Sequence, residues 1–248
     1  MGADLVYSAW LGFLAGLLPV YLGLLALPAF RAASERRRRL LLGFTIGILL
    51  FLFADVTHEA LQGAQASAPG PLVYSLALLA GLLAPMAVAG ASQTSRHAEG
   101  VRERGVLTAY LVALGIGLHN FGEGLAIGAA YTAGQLALTT LLVIGFALHN
   151  GTEGMGIAGP MVGAKVSARD PVLMGFVAGA PTILGSVVGS LAFSTLLAVA
   201  FFSAASGAIL YVVIELARLA YQRPTAADVL STALGILLMF GTGLLLQL

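Results

Sequence analysis

The sequence predicts an all-α integral membrane protein that crosses the bilayer eight times, with both termini on the extracytoplasmic side. Three observations predict this class: an apolar composition, eight long apolar segments, and basic residues confined to alternate loops. Hydrophobic residues make up 59% of the 248 residues and charged residues only 9%, and the mean hydropathy is +0.97. A soluble domain carries about 25% charged residues, so this chain cannot cover a water-exposed surface with polar groups.

Eight segments are apolar and about 20 residues or longer, which is the length that spans the hydrocarbon of a bilayer. The expected spans are 4–30, 40–63, 72–92, 105–131, 135–162, 171–194, 198–220 and 227–247. Breaks are marked by SAPGP at 67–71, by YTAGQ at 131–135, and by Asp170-Pro171, which is typical of a helix N-cap followed by proline. No turn signal separates the sixth and seventh spans, so length alone sets that boundary. We expect residues 1–248 to form one transmembrane domain.

The twelve Lys and Arg residues predict the orientation of the spans. Basic residues occur in the first, third and fifth loops and flank the seventh, whereas the second, fourth and sixth loops have none. Because basic loops are cytoplasmic, this alternation predicts a multi-pass protein of the cell membrane with its basic loops inside. We interpret the run Arg36–Arg39 as a solvated cytoplasmic face, and we expect the lipid bilayer, not nucleic acid, to be the surrounding partner.

Ionisable side chains inside the predicted spans are the feature that most needs an explanation. They are His58, His119, His149, Asp55, Glu59, Glu123, Glu153 and Glu215. An ionised group at mid-membrane costs roughly 2.5–3.5 kcal/mol, so five unpaired carboxylates cost on the order of 10 kcal/mol, as much as a whole fold is typically worth. The chain has no cysteine and no Lys or Arg deep in a span. Nitrogen and oxygen ligands of this kind suit a divalent transition metal, which would neutralise the carboxylates.

Two copies of one polar motif give the strongest signal. HNFGEG occupies 119–124 in the fourth span, and HNGTEG occupies 149–154 in the fifth. In each copy the His and Glu are four residues apart and therefore share one helix face. The two spans run in opposite directions and carry the motif at equal depth, so we expect a metal site between the fourth and fifth helices near mid-membrane. The alternative is a purely structural polar contact between the two helices.

Two further sets of polar residues flank this predicted site. Asp55, His58, Glu59 and Gln62 lie toward the outer end of the second span, where we expect an entry path or accessory ligands; the alternative is a polar cluster at the water interface. Glu215 lies toward the inner end of the seventh span. It is a candidate exit ligand, and the alternative is an ion pair with Arg218, three residues further on.

The tandem motif on the fourth and fifth of eight spans resembles the ZIP family of divalent-metal transporters, and FADVTHEAL (53–61), GAPTILGSVVG (179–189) and SGAILYVVIEL (206–216) support the resemblance. It implies uptake of Zn²⁺ or Fe²⁺ into the cytoplasm by a homodimer. The residues that match the family's metal-site positions are His119, Glu123, His149 and Glu153. Asn120 and Asn150 match second-site or bridging positions.

The sequence departs from the family pattern at three positions. Members often carry proline in the first motif, as HNxPEG, where this chain has Gly122, with Thr152 as its counterpart in the second motif. Some members carry an acid before the proline of the sixth span, where this chain has Ala180 before Pro181. These departures favour one dominant metal site.

The predicted function is a secondary or facilitative transporter, not an enzyme, that moves Zn²⁺ above all, and also Fe²⁺, Mn²⁺ or Cd²⁺, without a prosthetic group. One alternative is an intramembrane metal-dependent hydrolase, although HNxxEG lacks the HExxH pairing of zinc proteases. The other alternative is a proton-coupled carrier of a small organic cation, with Glu123 and Glu153 as proton relays. The preferred metal and the energy coupling are left open by the sequence.

Overall fold

The computed structural model describes residues 2–66, 68–95, 101–162, 164, 166–221 and 224–244. Within these ranges the regular secondary structure is helical, and we number the eight long helices α1–α8. α1 consists of Gly2–Gly12, a π-helical turn at Phe13–Leu17, and Leu18–Leu24, and the short helix Leu27–Arg31 continues it. The others are α2 Glu35–Gln65, α3 Gly70–Ser95, α4 Val101–Thr132, α5 Leu136–Met161, α6 Arg169–Leu191, α7 Thr195–Ala220 and α8 Ala226–Leu244.

The helices agree with the all-α membrane class. Among the described residues, α1 with its extension, α2, α3, α4, α6 and α7 are long and apolar enough to cross a membrane. α5 has the length, but its motif HNGTEG lowers its apolar character, and α8 contributes a shorter apolar stretch, Ala226–Thr242. The end of the eighth predicted span and the basic residues Arg96, Lys165 and Arg223 lie outside the described residues.

Two predicted helix boundaries need correction. α6 begins at Arg169, so Asp170 lies in its first turn and is not the N-cap, which is Ala168. The Asp170 carboxylate nevertheless accepts a hydrogen bond from the Ser167 backbone N–H at 2.6 Å, as an acid at a helix start does. The turn between α6 and α7 falls earlier than predicted because Ser194 is the N-cap of α7, where its Oγ accepts from the Leu197 N–H.

The eight helices pack as two groups of four. α1, α4, α5 and α6 form one group, the motif bundle, and α2, α3, α7 and α8 form the other, the flanking bundle. Within the motif bundle, glycines allow backbones to touch. A Cβ at Gly124 would overlap the Thr182 carbonyl, and one at Gly185 would overlap the Phe121 carbonyl, so α4 and α6 approach as closely as glycine permits.

The flanking bundle uses the same device at two interfaces. Gly47 of α2 lies against the Thr232 carbonyl of α8, and Gly235 lies against Phe44 in return. Gly81 of α3 and Gly207 of α7 form a matching reciprocal pair. Each bundle is therefore held by direct backbone contact, a geometry that any larger residue at these positions would prevent.

The contacts between the two bundles are of a different kind. Here side chains of the flanking bundle, not its backbone, lie against glycines of the motif bundle: Phe202 against Gly122, and Thr45 against Gly159. Most of the large buried apolar side chains also gather on one side of the two motifs, the side of the basic loops; they include Ile46, Leu49, Leu52, Ile116, Ile157, Met161, Met174, Ile209 and Leu216. An apolar core thus separates the motifs from the face that carries the basic loops.

Candidate metal centre

The turn between α4 and α5 brings the two polar motifs together. It contains Gly134 with φ +72°, a left-handed conformation that glycine adopts without strain. α5 therefore returns alongside α4 in the opposite direction, and the rings of His119 and His149 lie with their centroids 5.7 Å apart. All six residues of the predicted site are at most 4% exposed: His119, Asn120, Glu123, His149, Asn150 and Glu153.

The Glu153 carboxylate lies between the two imidazoles. Its Oε1 is 3.5 Å from His149 Nε2 and 3.9 Å from His119 Nε2, and one ligand atom from each of the three residues lies within 4.8 Å of the other two. Two ligand atoms bound to one tetrahedral Zn²⁺ at about 2.1 Å stand about 3.4 Å apart. The three side chains are therefore spaced as ligands of a single small cation.

These ligand atoms are not taken up by hydrogen bonds to other described residues. Both ring nitrogens of His119 and His149 and both carboxylate oxygens of Glu153 are buried without a hydrogen bond within the described part of the chain. Buried polar groups are normally paired, because an unpaired one costs about 1–3 kcal/mol and a charged one more. One such atom from each of the three residues lies within 4.8 Å of the other two, which is the arrangement that a cation site requires.

Glu123 is held differently from Glu153. Its Oε1 lies 3.2 Å from His119 Nε2, while its Oε2 accepts a hydrogen bond from Asn150 Nδ2 at 2.8 Å. The same Nδ2 donates to the Ala15 carbonyl at 2.9 Å. A neutral amide fixes the carboxylate without neutralising it, so the negative charge of Glu123 stays available to a cation.

The backbone of α1 makes the Ala15 carbonyl available to Asn150. Pro19 has no N–H, so the usual bond from residue 19 to the carbonyl of residue 15 cannot form. The π-helical turn Phe13–Leu17 lies at this point, and such turns are frequent at functional sites. Neither Ala15 nor this turn was predicted as part of the site, and Pro19 is the sequence signal that indicates it.

Asn120 is anchored to α6. Its Nδ2 donates to the Ala178 carbonyl at 3.0 Å, one turn before Pro181. The Oδ1 atoms of both Asn120 and Asn150 are buried without a hydrogen bond among the described residues. Because the donors fix both amides in orientation, these two oxygens remain as further candidate ligands or acceptors for bound water.

The two departures within the motifs have structural consequences. Thr152 Oγ1 donates to the His149 carbonyl at 2.6 Å, so this threonine bonds back to the preceding turn of its own helix. Gly122 lies against the ring of Phe202, with which a Cβ at position 122 would collide. Phe202 was not predicted from the sequence, and nothing local to residues 201–203 indicates its role.

A cavity of about 760 Å³ leads away from the motifs. Its lining includes His119, Glu123 and His149 at one end and Asp55, Glu59 and Gln62 further along α2. It extends to Thr195 at the start of α7 and Leu244 at the end of α8, which are the helix ends opposite the basic loops. The structure therefore joins three of the four predicted entry residues to the motifs.

The fourth predicted entry residue, His58, is exposed and is not among the residues that line the cavity. Its Nε2 lies 2.7 Å from Gln62 Nε2, so it contacts the cavity lining through that side chain. Glu215 forms the ion pair that was the alternative to an exit ligand, with its Oε1 2.8 Å from Arg218. It lies thirteen residues beyond Phe202, about 20 Å further along α7 on the side away from the cavity.

Comparison with protein families gives a match to the family described as ZIP Zinc transporter, over residues 89–243. The matched region contains both polar motifs and helices α4 to α7. Among curated proteins no match is found.

Proposed function

The chain belongs to the ZIP family of zinc transporters, and from this premise we propose that it carries divalent transition-metal ions across the cell membrane into the cytoplasm, with Zn²⁺ as the preferred ion and Fe²⁺, Mn²⁺ and Cd²⁺ as further substrates. The observation that carries the proposal is the group His119, His149 and Glu153, buried, free of competing hydrogen bonds in the described ranges, and spaced to bind one cation. Glu123 adds a second carboxylate beside it.

Charge supports a divalent cation as the substrate. Glu123 and Glu153 are both almost fully buried, and the motif region contains no Lys or Arg. Two ionised carboxylates in such a place repel each other and lose their hydration, whereas a bound M²⁺ offsets both charges. Ala180 stands where some family members have an acidic residue, so we propose that one metal ion binds at a single dominant site. Asn120 and Asn150 are then bridging or second-site positions.

The cavity supports a direction of transport. It reaches the helix ends that carry no basic residues, and the apolar core closes the side of the basic loops. With the basic loops in the cytoplasm, the cavity opens to the outside. A hydrated ion then enters from outside, passes Asp55, Glu59 and Gln62, and binds at the motifs. His58 acts as an accessory ligand at the rim through its contact with Gln62.

Release requires a second arrangement. We propose that the motif bundle moves against the flanking bundle as a unit, because each is held by glycine backbone contacts while larger side chains meet glycines between them. The ion then leaves toward the cytoplasm past Glu215. The Glu215 carboxylate breaks its ion pair with Arg218 and binds the metal ion instead. The proposed topology is a single domain over residues 1–248 with eight spans and both termini outside, assembled as a homodimer.

The alternatives are less well supported. A hydrolase is disfavoured because the family consists of transporters. An organic cation is disfavoured because three ligand atoms within 4.8 Å of one another suit a single ion better than a multi-atom group.

Metal uptake into proteoliposomes tests the proposal. Wild type is compared with Glu153→Gln and His149→Ala across Zn²⁺, Fe²⁺, Mn²⁺ and Cd²⁺, with Glu35→Gln, an exposed carboxylate at the start of α2, as the matched control. We expect both site variants to lose at least about tenfold in Zn²⁺ uptake, because each removes a ligand, and the control to transport normally. Wild-type uptake in both site variants would defeat the proposal.

A further inference from the structure

The His119 imidazole lacks the hydrogen bond that usually orients a metal-binding histidine. Such histidines normally donate their second ring nitrogen to a carboxylate, carbonyl or water, which fixes the ring plane. His119 Nε2 lies on the side of the carboxylates, 3.2 Å from Glu123. Its Nδ1 is buried and has no partner in the part of the chain that the structure describes. Apart from the contact of Nε2 with Glu123, packing must therefore orient this ring.

Two aromatic neighbours supply that packing. The His149 ring lies with its centroid 5.7 Å from that of His119, and the Phe202 ring lies with its centroid 5.8 Å away, tilted by 45°. The first neighbour is itself part of the proposed metal site. Phe202 is the neighbour without a ligand atom, and it also lines the cavity beside His119. It therefore limits how water and the imidazole can move at the mouth of the site.

Glycine at position 122 admits the phenylalanine ring. A Cβ at Gly122 would collide with three ring atoms of Phe202, Cδ1, Cε1 and Cζ. Gly122 lies between His119 and Glu123 along α4, so the ring of Phe202 reaches the helix backbone between two of the proposed ligands. With a proline at this position, the pattern common in the family, Phe202 could not pack here. The two residues are therefore complementary.

We propose that Phe202 is a positioning residue, which holds the His119 imidazole in the orientation that binds the metal ion, and that Gly122 is the position that makes room for it. The inference rests on the proposed function. Phe202 lies on α7 of the flanking bundle and His119 on α4 of the motif bundle, so the contact exists only in this arrangement of the two bundles. Movement between the bundles takes the Phe202 ring away from His119. The His119 imidazole is then less well oriented, which lowers the affinity for the ion in the arrangement that releases it.

Phe201 provides a matched control. It precedes Phe202 on α7 and also packs against α4, where its ring stacks on Phe121 with centroids 4.1 Å apart. It does not line the cavity that contains His119. Phe201→Ala and Phe202→Ala therefore remove the same side chain from neighbouring positions of one interface, and only the second removes the contact with His119.

The experiment measures metal binding and transport by the purified full-length protein. Co²⁺ absorption in detergent reports the ligand geometry, equilibrium dialysis with Zn²⁺ gives Kd, and proteoliposome uptake gives KM and the maximal rate. We expect Phe202→Ala to weaken Zn²⁺ binding and raise KM by about tenfold, the lower end of what orienting partners contribute. The maximal rate should change by less than about twofold, the Co²⁺ spectrum should change, and Phe201→Ala should behave as wild type.

Two further variants keep the test decisive if Phe202→Ala does not fold. Phe202→Leu retains an apolar side chain without the ring and should weaken binding less. Gly122→Ala should weaken binding in the wild-type background, because the new Cβ displaces Phe202, but should have little further effect in the Phe202→Leu background. Independent, additive effects of the two changes would overturn the assignment of Gly122.

The outcomes separate the inference from the proposed function. If Phe202→Leu or Phe202→Ala binds Zn²⁺ and Co²⁺ as wild type does, or if Phe201→Ala loses as much affinity, the positioning role is wrong and the metal site stands. If the wild-type protein binds neither ion, or if His119→Ala binds both as tightly as wild type, the proposed function itself is wrong.

Discussion

At the scale of single residues, the site depends on side chains that are neutral as much as on those that carry charge. Asn150 joins three helices, since its amide on α5 donates to Glu123 on α4 and to the Ala15 carbonyl of α1. A cationic side chain in its place would bind Glu123 more strongly, but it would then compete with the metal for the same carboxylate. The amide orders the proposed ligands and adds no positive charge to the site.

Replacing Asn150 should therefore cost more stability than replacing Asn120. Asn150→Ala leaves both the Ala15 carbonyl and Glu123 Oε2 without a donor, at about 1–3 kcal/mol for each buried group. Asn120→Ala removes one donor from the Ala178 carbonyl, which lies inside a helix and keeps the backbone N–H of Thr182 as its partner. We expect the larger fall in thermal unfolding temperature for Asn150→Ala, measured in detergent with metal removed. Equal or reversed losses would show that the Asn150 hydrogen bonds do not support the fold as described.

The sequence predicts which candidate ligands lie together, because each His–Glu pair is local in the chain. Spacing alone places His119 with Glu123 and His149 with Glu153, and equal depth on neighbouring spans makes the two motifs face each other. Phe202 could not be predicted in this way, because its contact with Gly122 depends on how α7 packs against α4. The ion pair of Glu215 with Arg218 was foreseen only as an alternative, since the spacing of three residues permits it without requiring it.

At the scale of the helices, breaks in regular hydrogen bonding create the surroundings of the site. α1 contains the π-helical turn Phe13–Leu17 followed by Pro19, and α6 contains Pro181 just beyond Ala178. Each break is beside a carbonyl that accepts a hydrogen bond from a motif asparagine. Pro19 removes the helical donor to the Ala15 carbonyl, which Asn150 uses, whereas Pro181 removes the donor to the Val177 carbonyl and Asn120 uses the next one, that of Ala178. The prolines are visible in the sequence, but the asparagines that bond beside them are identified only by the packing.

Pro19→Ala tests this relation between helix and site. The substitution restores an N–H at residue 19, which can bond to the Ala15 carbonyl and compete with Asn150. We expect Zn²⁺ affinity to fall several-fold, measured by equilibrium dialysis, as Glu123 loses its fixed position. Pro28→Ala is the matched control, because Pro28 lies at the start of the short helix Leu27–Arg31, where it interrupts no helix interior. The account fails here if both variants bind Zn²⁺ as wild type does.

At the scale of the whole molecule, the two bundles are the parts that move against each other in the proposed mechanism. α2 meets α5 on the side of the apolar core, where Ile48 contacts the position of Gly156. For the site to open toward the basic loops, the contact between Ile48 and Gly156 must break. Contacts inside the flanking bundle, such as Thr57 with Ser206 at 2.6 Å, should persist. The sequence does not show which helices belong to each bundle, because that grouping is set by tertiary glycine contacts.

Disulfide cross-linking distinguishes these two interfaces, and the chain has no native cysteine to interfere. We expect the pair Ile48→Cys with Gly156→Cys to lose nearly all Zn²⁺ uptake when oxidised and to regain it on reduction, because the bond ties the bundles together. The pair Thr57→Cys with Ser206→Cys joins α2 to α7 within one bundle and should transport in both states. Full uptake by the oxidised first pair would contradict movement at this interface.

The central claim is that a metal ion compensates the buried carboxylates between α4 and α5. Anomalous X-ray diffraction at the zinc edge from crystals of the protein soaked with Zn²⁺ tests it most directly. The account predicts a zinc peak at about 2.0–2.2 Å from nitrogen atoms of His119 and His149 and from a carboxylate oxygen of Glu153. Ordered zinc found only at other residues, with these three side chains well defined and metal-free, would contradict it.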